Sequence, residues 1–255
     1  MKFRVLGCSG SELDRSHPCS FMVGESILVD MGSGASRLTL EEQLRIKHIF
    51  LSHAHLDHTK DLAFFAENVF ALRKHPVTIH ASTNTLQVLK DHLFNGMLWP
   101  DFTKIPSESN PVMVFKEFNP GENITIASVT VTSVSVNHPG GCEALFFASP
   151  SGDVLYSGDT GPTTKVWDEV NHRGSKITSI LLECSFPNRL DNVAHESGHL
   201  TPTLFHQEIK KIISSDIAIY AYHLKAPYRD EIIKELDDLH DQRVRVLEAG
   251  MKLDF

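Results

Sequence analysis

His53-Ala54-His55-Leu56-Asp57-His58 sets three imidazoles and a carboxylate within six residues, directly after the apolar run Ile49-Phe50-Leu51. Such groups are costly to bury without partners. A divalent cation accepts both imidazole nitrogen and carboxylate oxygen. On an extended chain, residues two apart face the same way, so His53 and His55 can grip one ion. Where the chain then turns into a helix, Asp57 and His58 can swing toward a second ion. The plain alternative, a polar loop that happens to be rich in histidine, leaves this spacing unexplained.

Two ions need more than four ligands. His138 closes the apolar stretch that begins at Val129, just before Pro139-Gly140-Gly141. Asp159 follows Leu155-Tyr156-Ser157-Gly158, and His223 follows the run from Ile217 to Tyr222. Strand ends hold side chains on a rigid scaffold while facing a cleft. Any one of these three would ordinarily be a loop residue; all three, in this order with the histidine cluster, form a ligand series. Cys142, four residues beyond His138, is a weaker candidate. His17, His48, His75, His80, His92, His172, His195, His206 and His240 have no motif around them.

These residues need elements to carry them. Short strands are expected over Phe3–Leu6, Ser20–Val23 and Ser26–Asp30, the last two joined by a tight Gly24-Glu25 turn. Lys47–Ser52 reads as the buried strand that delivers the histidines. Apolar spacing predicts helices over Leu38–Leu44, Leu62–Leu72 and Thr85–Phe94, with a strand at Val77–Ala81 between the last two. Asn95 to Pro111 reads as a loop. The second half repeats this style, with strands over Ile124–Ala127, Val129–Val136, Ala144–Ala148 and Val154–Ser157. A helix over Lys165–Val170 then precedes a strand at Ile177–Leu182. Thr201 is the expected N-cap, and Pro202 the first turn, of a helix running to about Ile213. A strand at Ile217–Tyr222, a helix at Tyr228–Leu239 and a strand at Val244–Leu247 finish the chain. Strand meanders followed by αβ units, twice over, suggest an α/β protein with two face-to-face sheets and helices outside. The absence of a linker or low-complexity tract favours one domain over residues 1–255.

Composition limits the function. At 41% hydrophobic residues the chain can bury an ample core. A formal net charge of −8 argues against sequence-independent binding to extended nucleic acid. No segment has the length and apolarity of a membrane span. Four cysteines without CxxC spacing read as reduced thiols, which suits a cytoplasmic protein.

On the histidine cluster and the three strand-end ligands, the sequence resembles the metallo-β-lactamase superfamily over nearly its whole length. The resemblance implies a four-layer αββα sandwich with a two-metal site at one edge. It implies that His53, His55 and His138 hold the first ion, that Asp57, His58 and His223 hold the second, and that Asp159 bridges. Asp30, in Leu28-Val29-Asp30-Met31-Gly32, matches an aspartate that supports the metal loops. Zinc is the expected metal, with manganese or iron also accepted by mixed N/O ligation. Dimers are common in the superfamily, so a homodimer is a possible assembly.

The segments Leu182-Glu183-Cys184-Ser185-Phe186-Pro187-Asn188, Ser197-Gly198-His199-Leu200-Thr201-Pro202 and Tyr222-His223-Leu224-Lys225 look like the class II cyclic-nucleotide phosphodiesterases, as does Leu98-Trp99-Pro100-Asp101. That family implies hydrolysis of cyclic AMP or cyclic GMP to the 5′-nucleotide by a water activated between two divalent ions. His199 is the candidate acid for the leaving oxygen, kept charged by Glu183. Phe186 and Asn188 are candidates to frame the base, with Trp99 and Phe102 as weaker ones. Lys225 is a candidate phosphate contact. Two rivals keep the metals and change the substrate: a tRNA 3′-processing-type endonuclease, or a thioester or lactone hydrolase. A third reading, a metal-binding sensor without catalysis, is disfavoured by the intact ligand series.

Overall fold

Short apolar runs recur along this chain, and in the computed structural model, which describes residues 1–255, they pair into two seven-stranded sheets. In chain order the first half gives β1 (Lys2–Gly7), β2 (Ser20–Val23), β3 (Ile27–Val29), β4 (His48–Phe50), β5 (Val77–Ala81) and β6 (Met113–Glu117). The second half gives β7 (Asn123–Ile126), β8 (Val129–Val136), β9 (Cys142–Ser149), β10 (Gly152–Tyr156), β11 (Ile177–Glu183), β12 (Ala218–Tyr222) and β13 (Val244–Val246). A last strand, β14 (Lys252–Asp254), returns to the first sheet and pairs with β1.

Both sheets follow one plan. The first runs β14-β1-β2-β3-β4-β5-β6, antiparallel as far as β3 and parallel beyond it. The second, in the order β7-β8-β9-β10-β11-β12-β13, is antiparallel as far as β10 and parallel beyond it. Parallel strands need crossover helices, and helices on the outer faces bury those strands on both sides.

Alternation along the strands sorts side chains into layers. Ile27 and Val29 point between the sheets with Phe50, Phe147, Tyr156 and Leu181. Leu28, between them in sequence, points outward to pack with Ile49, Leu62, Phe65 and Ile79 under the first helical layer. In the second sheet Leu145 and Phe147 face inward, while Phe146 faces Trp167 and Phe205 under the second helical layer. The result is the expected αββα sandwich. Phe3 and Phe50 both meet Phe147 edge-on, at ring separations of 5.5 and 6.5 Å, which locks one sheet to the other.

Several elements depart from the sequence reading. The Gly24 turn holds three residues, because Val23 pairs with Ile27. The helix expected at Leu38–Leu44 spans Leu40–Arg45, entered by Thr39 and Glu42 as a reciprocal cap. The helix that starts at Thr83 widens after Val88 into a turn closed by Phe94 N–H to Leu89 C=O at 2.8 Å. The helix from Pro202 ends at Ile209 rather than near Ile213. Strands β6 and β14 lie where no strand was expected: both are sheet edges and each carries two exposed charged residues, Lys116 and Glu117 in one and Lys252 and Asp254 in the other.

Candidate metal centre

Every predicted ligand sits just beyond the C-terminal end of a strand, and those ends converge on one edge of the sandwich. Strand β4 stops at Phe50, and the loop after it carries His53 and His55. A helical turn, Leu56–Thr59, then presents Asp57 and His58 and continues through Lys60 into the helix Asp61–Val69. β3, β8, β10 and β12 deliver Asp30, His138, Asp159 and His223. Asp30 and His223 adopt left-handed backbone (φ 53° and 66°), which turns each side chain off the sheet end abruptly. The His223 ring lies so close to Gly10 that a Cβ there would sit 2.7 Å from Nδ1. Only glycine fits at that position.

The seven ligand candidates meet in two groups. His53, His55, His138 and Asp159 each offer an atom within 4.8 Å of the others; so do Asp57, His58, Asp159 and His223. Asp159 belongs to both. His138 Nε2 approaches His55 Nδ1 at 3.2 Å. His58 Nε2 lies 3.3 Å from Asp159 Oδ1, and His223 Nε2 lies 3.3 Å from both Asp57 Oδ2 and Asp159 Oδ2.

Behind this ring, a second set of hydrogen bonds fixes which nitrogen faces inward. Buried Asp30 accepts from Ser52 N–H, Ser52 O–H, Tyr156 O–H and His58 Nδ1–H at 2.6–2.7 Å. Because the Ser52 hydroxyl donates to Asp30, it accepts from His53 Nδ1 at 3.0 Å. His138 Nδ1 donates to Gly198 C=O at 2.9 Å. His223 Nδ1 donates to Ser185 Oγ at 2.8 Å, since that hydroxyl gives its own proton to Glu183. Four Nδ1 protons thus point outward, and four Nε2 atoms point inward.

That arrangement is incomplete without cations. His53 Nε2 and Asp159 Oδ1 are buried with no hydrogen-bond partner. Burial drives the pKa of His53 well below the usual imidazole range and lowers those of His55, His138 and His223. His58 moves the other way: burial opposes its charge, but the Asp159 and Asp30 carboxylates on either side raise its pKa well above normal. Asp57 and Asp159 are held below the usual carboxylate range; burial opposes this, and His223 and His58 outweigh it. Four imidazoles that burial keeps neutral, a fifth held between two carboxylates, and ionised carboxylates around unpartnered buried atoms are a donor set that divalent ions fit. Cys142 does not join it. Its sulfur faces His53 Nδ1 at 3.7 Å, behind the ring.

Against the second ligand group lies a further pair. His199 Nδ1 donates to Glu183 Oε1 at 2.7 Å, and its ring stacks on His223 with centroids 5.3 Å apart. Glu183, fully buried at the end of β11, also accepts from Thr160 N–H, Ser185 O–H and Leu200 N–H. Burial opposes a charge on His199, yet Glu183 raises its pKa above the usual range. Phe186 packs edge-on to His199 at 5.7 Å. The Asn188 side-chain oxygen accepts from Thr203 N–H at a helix start, so half of its amide is committed to structure. Phe102 lies in the core beneath the first helical layer, and the Trp99 indole donates to Ala63 C=O. Both pack rather than frame a base. Lys225 Nζ stands 3.7 Å from Asp57 but donates to Gly10 C=O. Sequence reading missed Ser52, Tyr156 and Ser185, because ordinary hydroxyls acquire a role only through their spatial neighbours.

Residues 26–215 match the family model described as "Beta-lactamase superfamily domain". A 3′,5′-cyclic-nucleotide phosphodiesterase of Aliivibrio fischeri is 30% identical over 246 residues, covering 83% of this chain and 71% of that protein. A probable 3′,5′-cyclic-nucleotide phosphodiesterase of Yersinia pestis is 28% identical over 182 residues, 66% of this chain; the chain spans about half, 51%, of that relative. Among solved structures, unliganded yeast PDE1 superposes with a TM-score of 0.83 at 19% identity, covering 100% of this chain and 99% of that one. The fold is shared with it.

Proposed function

The chain belongs to the beta-lactamase superfamily, and from that premise we propose that it hydrolyses 3′,5′-cyclic nucleotides, cyclic AMP or cyclic GMP, to 5′-nucleotides. One observation carries the reading: two ligand groups share Asp159, and a buried His199–Glu183 pair stands against one of them. The names of the relatives support the substrate class.

His53, His55, His138 and Asp159 would hold one divalent ion, and Asp57, His58, Asp159 and His223 the other; zinc is our choice for so many nitrogen donors, with manganese or iron as alternatives. Bound there, such ions supply Lewis acidity at the phosphoryl oxygens and lower the pKa of water to about 7. Asp57 and Asp159 neutralise only half of the charge of two divalent ions. The local excess draws a singly charged phosphodiester into a protein of net charge −8. A water that has lost one proton to solvent at that lowered pKa bonds through its oxygen to phosphorus as the bond to the 3′-oxygen breaks, and His199 gives the 3′-oxygen its Nε2 proton. Glu183 holds His199 at Nδ1, so the proton to be given faces the cleft. Phe186, half-buried beside His199, is our candidate wall for the base, with the free side-chain nitrogen of Asn188 at its edge.

Both sheets supply ligands, so all 255 residues act as one hydrolase domain in this reading. Four unpaired cysteines support a reducing, cytoplasmic setting, and no helix is long and apolar enough to cross a membrane. The deciding experiment is turnover of cyclic AMP, cyclic GMP, bis(nitrophenyl) phosphate and a lactone by purified protein, with elemental analysis of the same sample. Release of 5′-AMP or 5′-GMP is expected. Turnover of the lactone alone would overturn the proposal.

A further inference from the structure

One buried hydroxyl joins the metal centre to the acid pair. Ser185 is fully buried just past the end of β11, and so are its two partners, Glu183 and His223. Its Oγ accepts from His223 Nδ1 at 2.8 Å and donates to Glu183 Oε2 at 2.9 Å. The other oxygen of the same carboxylate accepts from His199 Nδ1 at 2.7 Å. His199 Nδ1 also lies 3.2 Å from Ser185 Oγ, but its short bond to Glu183 is the committed one. The chain therefore reads His223–Ser185–Glu183–His199, with every proton directed toward the carboxylate.

This order has a consequence for His223. An imidazole beside a cation must present a lone pair, which requires the proton on the opposite nitrogen. Only an acceptor at Nδ1 keeps it there, and Ser185 is the Nδ1 partner in this protein. A serine hydroxyl can also donate to a histidine. It is prevented from doing so because Glu183, a carboxylate that only accepts, takes its proton. Ser185 thus converts the charge of Glu183 into a fixed tautomer two bonds away. His58 has its own direct carboxylate partner in Asp30, and His138 has Gly198 C=O, so neither needs such a relay.

We propose that Ser185 is a positioning residue that sets the His223 tautomer on behalf of Glu183, so that the second metal site and the His199 acid depend on one shared carboxylate. This rests on the metal-dependent reading above, but its test does not require the substrate to be right. Ser185→Ala, Ser185→Thr, Glu183→Gln and the double variant Ser185→Ala/Glu183→Gln would be purified, and their two divalent-ion affinities measured by competitive titration against a chromophoric chelator. Ser185→Ala should weaken the His223-containing site by about 10- to 100-fold, as loss of a ligand's hydrogen-bond partner does, and leave the His53–His55–His138 site unchanged. His223→Ala identifies which binding step is which. Ser185→Thr, which keeps the hydroxyl, should restore most of the affinity. The double variant should be no worse than the poorer single one, since both remove the same relay. Equal losses in Ser185→Ala and Ser185→Thr would mean packing rather than hydrogen bonding and would overturn the proposal. So would unchanged affinity in Ser185→Ala, or fully additive losses in the double variant. Failure of cyclic-nucleotide turnover with these affinities as expected would instead remove only the substrate assignment.

Discussion

The Nε2 atoms of His58 and His223 face each other at 3.2 Å while both Nδ1 atoms are already committed as donors, to Asp30 and to Ser185. Two lone pairs do not share that distance unless a cation lies between them. Without metal the cation is a proton, and it resides on His58, whose pKa Asp159 and Asp30 raise despite burial. Metal loading must displace it.

Divalent-ion binding should therefore release protons near neutral pH. Because the His58 pKa is raised in the metal-free protein, the proton is present below that value, and apparent metal affinity should climb as pH rises toward it. Calorimetric titration in buffers of different ionisation enthalpy reads the proton count directly. No buffer dependence would refute the account of His58. The same loading should raise the unfolding temperature, with about 2.7 kcal/mol of added stability at a free-metal concentration 100 times Kd.

Asp30 is a structural hub rather than a ligand. Replacing it by Ala leaves the donors of Ser52, Tyr156 and His58 facing an empty, buried acceptor site. Asp30→Ala should cost about 3–5 kcal/mol, the range for breaking a buried charged partner. Urea unfolding of metal-free protein checks this, and a loss under about 1 kcal/mol would contradict it.

His199→Ala tests the acid. The variant should lose about 10²- to 10⁴-fold in kcat, the usual range for removing a general acid. Its metal content by elemental analysis should match the parent protein, because other side chains complete both ligand groups. Parental kcat in the variant would remove the assignment.

The pH profile carries a sign of its own. His199 must be protonated to act as acid, and Glu183 raises its pKa above the usual imidazole range against the pull of burial. Activity should fall on the alkaline side as pH passes that raised value. Glu183→Gln removes the charge and should move this limb to lower pH. A limb that stays in place would assign it to another group.

Much of this protein was legible in its sequence, for local reasons. Four ligand candidates lie within six residues, and the alternating run before His138 and the continuous apolar runs before Asp159 and His223 mark strands whose ends must carry them. Strand meanders followed by αβ units, twice over, pointed to the layered architecture, and the strands buried on both faces read as continuous apolar runs. Short β6 and β14 escaped notice, since edge strands bury one face and draw their order from a neighbour already in place. What only the tertiary structure decided is direction and partnership. Residue types name possible ligands, but which ring nitrogen faces inward depends on Asp30, Ser52, Gly198 and Ser185; Ser52 adjoins His53, while the other three lie 28 to 60 residues from the histidines they orient. Hydrogen bonds act over a few ångströms of space and not along the chain, so a serine can be read from sequence while its task cannot.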